Sequence, residues 1–195
     1  MNQTLRIAVA EDEADMRDFY RKILPHLGHE VVSVAENGRQ LVEQCREQPP
    51  DLIITDIRMP EMDGLDAIRE IGKERQVPVI LVSAHHDAEF VERACQDTVL
   101  AYLVKPIKVC DLEPAIGLAM RRFAEFQALQ KQAGDLQQAL EARKLIERAK
   151  GILMKRGGLD EQTAFRRLQR LSSNKNLKLV EIAKTILTAE EAFQS

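Results

Sequence analysis

The sequence predicts a doubly wound α/β domain built on a five-stranded parallel sheet, followed by a long helix and a small three-helix module. Three observations carry that prediction. Five short runs rich in Val and Ile recur through the first half of the chain, helix-length segments separate them, and from Val109 onward the apolar residues take up a helical period and keep it.

The five runs are "LRIAVA" (5–10), "EVVSVA" (30–35), "DLIITD" (51–56), "VPVILVSA" (77–84) and "AYLVKP" (101–106). None has a clear polar face. Strands covered by helices on both faces read this way, because neither side is solvated. Among the intervening segments, Asn37 is the expected N-cap of a helix starting near Gly38, and Asp87 of one starting near Ala88. A short polar side chain just before a helix can accept a free N–H of the first turn.

Beyond Val109 the apolar stripe runs Leu112, Ile116, Ala119, Phe123, Phe126, Leu129, Ala133, Leu136 and Leu140. The spacing is a near-heptad with one slip between Phe126 and Leu129. Pro114 is expected in the first turn, where a missing N–H costs little. Leu112 to Phe123 fits a helix packed on its own domain. Past Phe126 the stripe outruns that domain and predicts a coiled coil, and hence a homodimer. "EARKLIERAKGILMKR" continues the helix to Gly157-Gly158, a natural stop. "DEQTAFRRLQRLS" starts a second helix at Asp160, and "LVEIAKTILTAEEAF" forms a third after the turn "SSNKN". Leu145, Ile146, Ala149, Ile152, Leu153, Phe165, Leu168, Leu171, Ile182, Ala183, Ile186 and Leu187 are the candidates for one small core. The expected domains are 4–124, a coiled-coil connector over 125–140, and 135–195.

Composition narrows the function classes. The 195 residues are 45% hydrophobic and 30% charged, the balance of a folded globular chain. No apolar run approaches the roughly 18 residues that span a bilayer, and no leader precedes Leu5, so the expected address is the cytoplasm with no membrane partner. Cys45, Cys95 and Cys110 are odd in number and far apart, which suggests neither a disulfide framework nor a zinc motif. His26, His29, His85 and His86 read as surface or element-end residues. The net charge of −3 is unevenly placed: residues 141–195 carry 12 Lys+Arg against 7 Asp+Glu. That excess permits nucleic-acid binding by the second module without proving it.

In a parallel α/β sheet, function gathers at the carboxyl ends of the strands. The first strand runs into Glu11-Asp12-Glu13, the third ends at Asp56, the fourth at Ser83-Ala84 and the fifth at Lys105-Pro106. Clustered carboxylates repel one another unless a cation neutralises them. A few carboxylate oxygens suit magnesium (Mg²⁺), which also favours phosphate oxygens, and a lysine and a hydroxyl can hold those oxygens.

With Glu11-Asp12, "DLIITDIRMPEMDG", Ser83-Ala84, Tyr102 and Lys105-Pro106, the first module resembles the receiver domain of two-component response regulators, which has a flavodoxin-like fold. The resemblance implies that Asp56 accepts a phosphoryl group from a sensor histidine kinase. It implies Mg²⁺ on Asp12, Asp56 and the carbonyl of Arg58, with Glu11 assisting. It further implies Lys105 on the phosphoryl oxygens, Ser83 bonding the new phosphate, Tyr102 turning inward as the switch, and a cis Lys-Pro peptide. Such a module catalyses its own phosphotransfer but is not a metabolic enzyme.

The second module poses one question of its own. Gly151 interrupts the helix "ERAKGILMKRGG", at a cost of about 1 kcal/mol relative to Ala, amid Arg148, Lys150, Lys155 and Arg156. Either another helix or a ligand must come close there. Arg143, Ile146, Ala149-Lys150-Gly151, Leu153-Met154, Ala164-Phe165, Leu168 and Ile182-Ala183 resemble the ANTAR domain, an RNA-binding module of transcription antiterminators. The resemblance implies RNA hairpins as partners, met by Ala149, Lys150 and Gly151 with Arg148, Lys155 and Arg156 around them. A DNA-binding regulator and a protein-interaction output are the alternative readings.

Overall fold

A computed structural model describes residues 4–84 and 99–194. The expected helix capped by Asp87, together with Cys95, His85 and His86, lies outside the described residues. Two compact units divide the chain at Gln127 and Ala128.

In the first unit the strands are β1 (Arg6–Ala10), β2 (Glu30–Ala35), β3 (Leu52–Asp56), β4 (Val79–Ser83) and β5 (Val99–Val104). They form one parallel sheet in the order β2-β1-β3-β4-β5. Every residue of β3 and β4 is buried, which is why neither run alternates in sequence. Helices α1 (Ala14–His26), α2 (Gly38–Glu47) and α3 (Gly64–Glu74) fill the connections. One core, with Ala8, Ile53 and Leu81 from the strands, packs under α2 and α3. The other, with Ile7, Val9, Ile54 and Ile80, packs under α1 and the start of the long helix α4 (Val109–Gly157).

Asn37 caps α2 by accepting from Gln40 N–H at 2.9 Å, and Asp63 caps α3 by accepting from Asp66 N–H at 2.7 Å. The fifth strand sits two residues earlier than its apolar run suggests, at 99–104. Proline cannot donate to a ladder, so pairing ends before Pro106, and the Lys105-Pro106 peptide is cis. Two further expectations are corrected here. His29 is buried rather than superficial, and its Nδ1 accepts from Leu5 N–H at 3.4 Å. Pro114 lies beyond the first turn of α4, where its ring removes a regular helical bond to Cys110. That gap is tolerated among packed neighbours: Leu112, Ala115, Ile116 and Ala119 are all buried.

In the second unit α4 is followed by α5 (Glu161–Lys175) and α6 (Leu179–Gln194). Asp160 is the cap of α5 rather than its first residue, and it accepts from Thr163 N–H at 2.7 Å. The helix continues through Ser172, Ser173 and Asn174 and stops at Asn176 in the left-handed region (φ 52°), so the turn is shorter than "SSNKN" implied. Ala149, Leu168, Ile182 and Ala183 make the core, with Leu145, Ile146, Leu153, Leu171 and Ile186 against it. Phe165 is corrected out of that core at 38% exposure; Ala164, one residue earlier on the helix, is the buried one.

Candidate functional site

The strand order reverses direction at β1 and β3, and the ends of those strands are level: Ala10 pairs with Thr55, and Asp56 with Val82. Glu11 leaves β1 with its backbone N–H on Ala35 O at 3.0 Å, and Asp56 ends β3. Ligand oxygens of Glu11, Asp12 and Asp56 all lie within 4.8 Å of one another. Glu11 is fully buried, Asp56 is 7% exposed, and Asp12 faces solvent.

Lys105, just past β5, ties this cluster together. Its Nζ donates to Asp56 Oδ2 at 2.6 Å, Glu11 Oε1 at 2.8 Å and Glu13 Oε1 at 3.0 Å. Its backbone N–H donates to Ser83 O at 2.9 Å, which fixes the β5 end to the β4 end. The other Asp56 oxygen, Oδ1, accepts from Arg58 N–H at 3.0 Å. Ser83 is buried at the end of β4, and Tyr102 is half-buried against the core under α2 and α3.

One lysine does not neutralise the cluster. Glu11 Oε2 is buried with no hydrogen-bond partner among the described residues. Burial pushes the Glu11 carboxyl up to about 7, the Asp56 charge adds to the rise, and Lys105 opposes it. Burial works against the Lys105 ammonium, but its bonds to Asp56, Glu11 and Glu13 together outweigh that and raise its pKa. An unpartnered buried carboxylate oxygen beside two further carboxylates is a donor set suited to a hard divalent cation.

Sequence reasoning passed over two neighbours of this site. A Cβ on Gly64 would run into the Asp56 carbonyl oxygen, so the "MDG" glycine lets α3 start directly against the acceptor strand. Tyr20 is buried with its hydroxyl unpartnered among the described residues; burial raises its pKa, and the Glu11 charge adds to the rise. The glycine had a signal, since it follows a helix cap. The tyrosine, one apolar position among many on α1, had none.

The basic surface of the second unit is partly different from expectation. Ala149 is fully buried in the three-helix core, which corrects its assignment as an RNA-facing residue. Lys150 is also corrected: it is buried, and its Nζ is held by Glu147 at 2.6 Å and Glu161 at 2.8 Å, which raises its pKa. Gly151 is exposed, and a Cβ there would meet nothing within 4 Å among the described residues, so close packing against them is not the reason for the glycine. Arg148, Gly151, Lys155 and Arg156 line a shallow cavity of about 340 Å³, but Glu190 and Glu191 line it too, and Glu190 pairs with Arg156 at 2.5 Å.

Comparison with known proteins covers both units. The response regulator receiver domain model matches residues 7–117, and the ANTAR domain model matches residues 134–187. The chain is 40% identical over 182 residues to the transcriptional regulatory protein PdtaR of Mycobacterium tuberculosis, a match over 93% of this chain and 89% of that protein. It is 42% identical over 104 residues to the chemotaxis protein CheY of Bacillus subtilis, covering 53% of this chain and 87% of that one. The solved response regulator domain of Thermotoga maritima CheB superposes with a TM-score of 0.56 at 29% identity, covering 61% of this chain and 98% of that chain.

Proposed function

The chain belongs to the response regulators, with an ANTAR domain following its receiver domain, and on that premise we propose that it is a phosphorylation-controlled regulator that binds RNA hairpins and acts as a transcription antiterminator. The observation that carries the receiver half is the grip on Asp56, whose two oxygens are held by Arg58 N–H and Lys105 Nζ at the end of β3. Held this way, the carboxylate is fixed as a nucleophile. One oxygen attacks the phosphorus of a phosphohistidine on a sensor histidine kinase; the O–P bond forms, the P–N bond breaks, and the imidazole leaves.

Glu11, Asp12, Asp56 and the Arg58 carbonyl would hold Mg²⁺, which supplies positive charge for the oxygens of the transferring group. Lys105 follows the negative charge from the Asp56 carboxylate to the phosphoryl oxygens. Ser83, buried at the neighbouring strand end, donates its hydroxyl to one of them, and Tyr102 turns inward behind it. The test is intact-mass measurement after treatment with an acyl phosphate donor and Mg²⁺. Wild type gains one phosphoryl group and Asp56→Asn gains none; an adduct that persists on another residue overturns the assignment.

The connector supports a homodimer. Along α4, Leu129 is 64% exposed, Leu136 72% and Leu140 52%, and every residue from 127 to 141 faces solvent. A helix with an apolar stripe and no cover in its own chain pairs with a second copy. Leu129→Glu with Leu136→Glu lowers the sedimenting mass; a wild type that stays monomeric with and without the phosphodonor rules the coiled coil out.

In the output unit the remaining first-helix contacts are Arg148, Gly151, Lys155 and Arg156, where an open glycine among cations admits a polyanion. Two such modules in one dimer would each hold an RNA hairpin and so keep a terminator from forming. Parallel titrations with hairpin RNA and duplex DNA separate this reading from a DNA-binding output, and binding to neither leaves a protein-interaction output.

A further inference from the structure

We propose that the principal phosphate-gripping surface of the output unit is a cleft on α5, formed by Arg166, Arg167 and Arg170 with Thr163 and Asn174, which takes the sugar–phosphate backbone of the RNA stem. The proposal rests on the RNA-binding reading above and relocates its electrostatic centre from the first helix of the unit to the second.

Three observations carry it. The first is placement. Residues 163, 166, 167, 170 and 174 are related by steps of three and four, so they share one face of α5. They line a cleft of about 520 Å³ beside Leu171. Leu168 and Ala164 point to the other side, into the three-helix core. The face is therefore rigidly presented, because packing fixes the rotation of the helix.

The second is charge. Arg166, Arg167 and Arg170 are exposed, and no carboxylate among the described residues forms an ion pair with any of them. Asp160 has Arg166 nearby but is engaged as the helix cap by Thr163 N–H. No acid lines the cleft. The first-helix surface is the contrast: Lys150 is held by two glutamates, Arg156 is paired with Glu190, and Glu191 sits in the same cavity. A polyanion approaching that surface meets acids as well as bases, whereas the residues that line the α5 cleft include bases and no acid.

The third is the donor set. Three guanidinium groups offer planar, two-pronged donation to phosphate oxygens, which ammonium groups cannot match. The Asn174 amide adds a neutral donor at one end of the same face. Contacts of this kind position a nucleic acid without reading its sequence.

The experiment uses the full-length protein. Hairpins are enriched from a pool with one fixed stem and randomised loops, and a 5′-labelled winner is titrated at several salt concentrations. Arg166→Gln, Arg167→Gln and Arg170→Gln together lower the slope of log affinity against log salt by about three, one for each lost phosphate contact. Affinity falls by a similar factor for the winner and for the same stem with a scrambled loop. The matched control is Lys175→Gln, Lys178→Gln and Lys184→Gln, which removes the same charge elsewhere on the unit and shifts the slope by less than one. Replacing the three arginines by lysine restores most of the slope. Far-UV circular dichroism shows whether the variants keep their helices, and the three single substitutions stand in should the triple variant unfold.

A wild-type slope in the arginine variant overturns the cleft and leaves RNA binding intact. Equal losses in the arginine and lysine sets overturn it in favour of bulk charge. Polyglutamate that competes as well as the hairpin overturns the nucleic-acid occupant. If wild type enriches no hairpin, the RNA reading and the cleft fall together.

Discussion

Among the described residues, Lys105 and Lys150 each bridge more than one acid, and they behave differently. Lys105 holds Glu11 and Asp56, whose side chains are 1% and 9% exposed; Lys150 holds Glu147 and Glu161, at 54% and 72%. In the receiver the acids cannot be solvated, so the cluster keeps an unbalanced charge and an orphaned oxygen that a cation or phosphoryl group can exploit. In the output unit the acids are wet and screened, and the clamp mainly fixes where the Lys150 side chain lies. The receiver site stores electrostatic imbalance by burial, whereas the α5 cleft holds arginines outside such clamps. The same contrast holds for two glycines. Gly64 is boxed in by backbone, and Gly151 faces open space.

Gly64→Ala should produce the largest effect. The new Cβ meets the Asp56 carbonyl, a backbone atom that cannot swing aside, so α3 or β3 must shift. Overpacking against backbone places the cost at about 3 kcal/mol, and the displaced acceptor loses phosphorylation as well. Urea denaturation read beside phosphoryl labelling checks both. An alanine variant with wild-type stability would show that the two elements have slack here and would weaken the contrast with Gly151.

Glu11→Gln sharpens the comparison through pH. Burial raises the folded Glu11 pKa from its ordinary 4.5 to about 7. The folded chain therefore binds more protons than the unfolded chain between those values, and stability falls as pH rises from about 4.5 to about 7. Glutamine removes that loss. In a chelating buffer the variant should gain about 3 kcal/mol over wild type at pH 8 and almost nothing at pH 4, from the free energy carried by each unit of pKa displacement. Added Mg²⁺ should narrow the gap at pH 8 by stabilising only wild type. Equal gains at both pH values would mean that the Glu11 charge is not what strains the pocket.

Much of the receiver was legible because its information is local to strand ends. Glu11, Asp56, Ser83 and Lys105 each follow an apolar run, and a parallel sheet brings such ends to one edge whatever the loops do. His29 was not legible, because its partner is the backbone of Leu5, just ahead of β1 and far away in sequence. Gly64 required knowing how closely α3 approaches β3. In the output unit the helices and most core positions followed from periodicity, but the state of each basic residue did not. Lys150 and Arg170 look alike in sequence. Only packing reveals that one lies beside glutamates from two helices and the other lines an acid-free cleft.

Gly151 gives the smallest expected effect on stability and separates two explanations of the residue. It lies inside a 49-residue helix, and a Cβ there meets nothing within 4 Å among the described residues. Were the glycine a packing device, adding a methyl group would destabilise the unit. With open space on that side, Gly151→Ala should instead stabilise by about 1 kcal/mol, since alanine loses less backbone entropy in a helix. Thermal unfolding followed by circular dichroism gives the sign directly. The glycine would then be retained at a cost in stability, which points to something outside the chain. The larger Gly151→Leu substitution reads that out: it should keep the helix and weaken hairpin binding, because the isobutyl group holds the RNA off the surface beside Arg148 and Lys155. It should leave the salt slope almost unchanged, as no cation is removed. A leucine variant that binds as tightly as wild type would place the whole RNA contact elsewhere on the unit, with α5 as the remaining basic face.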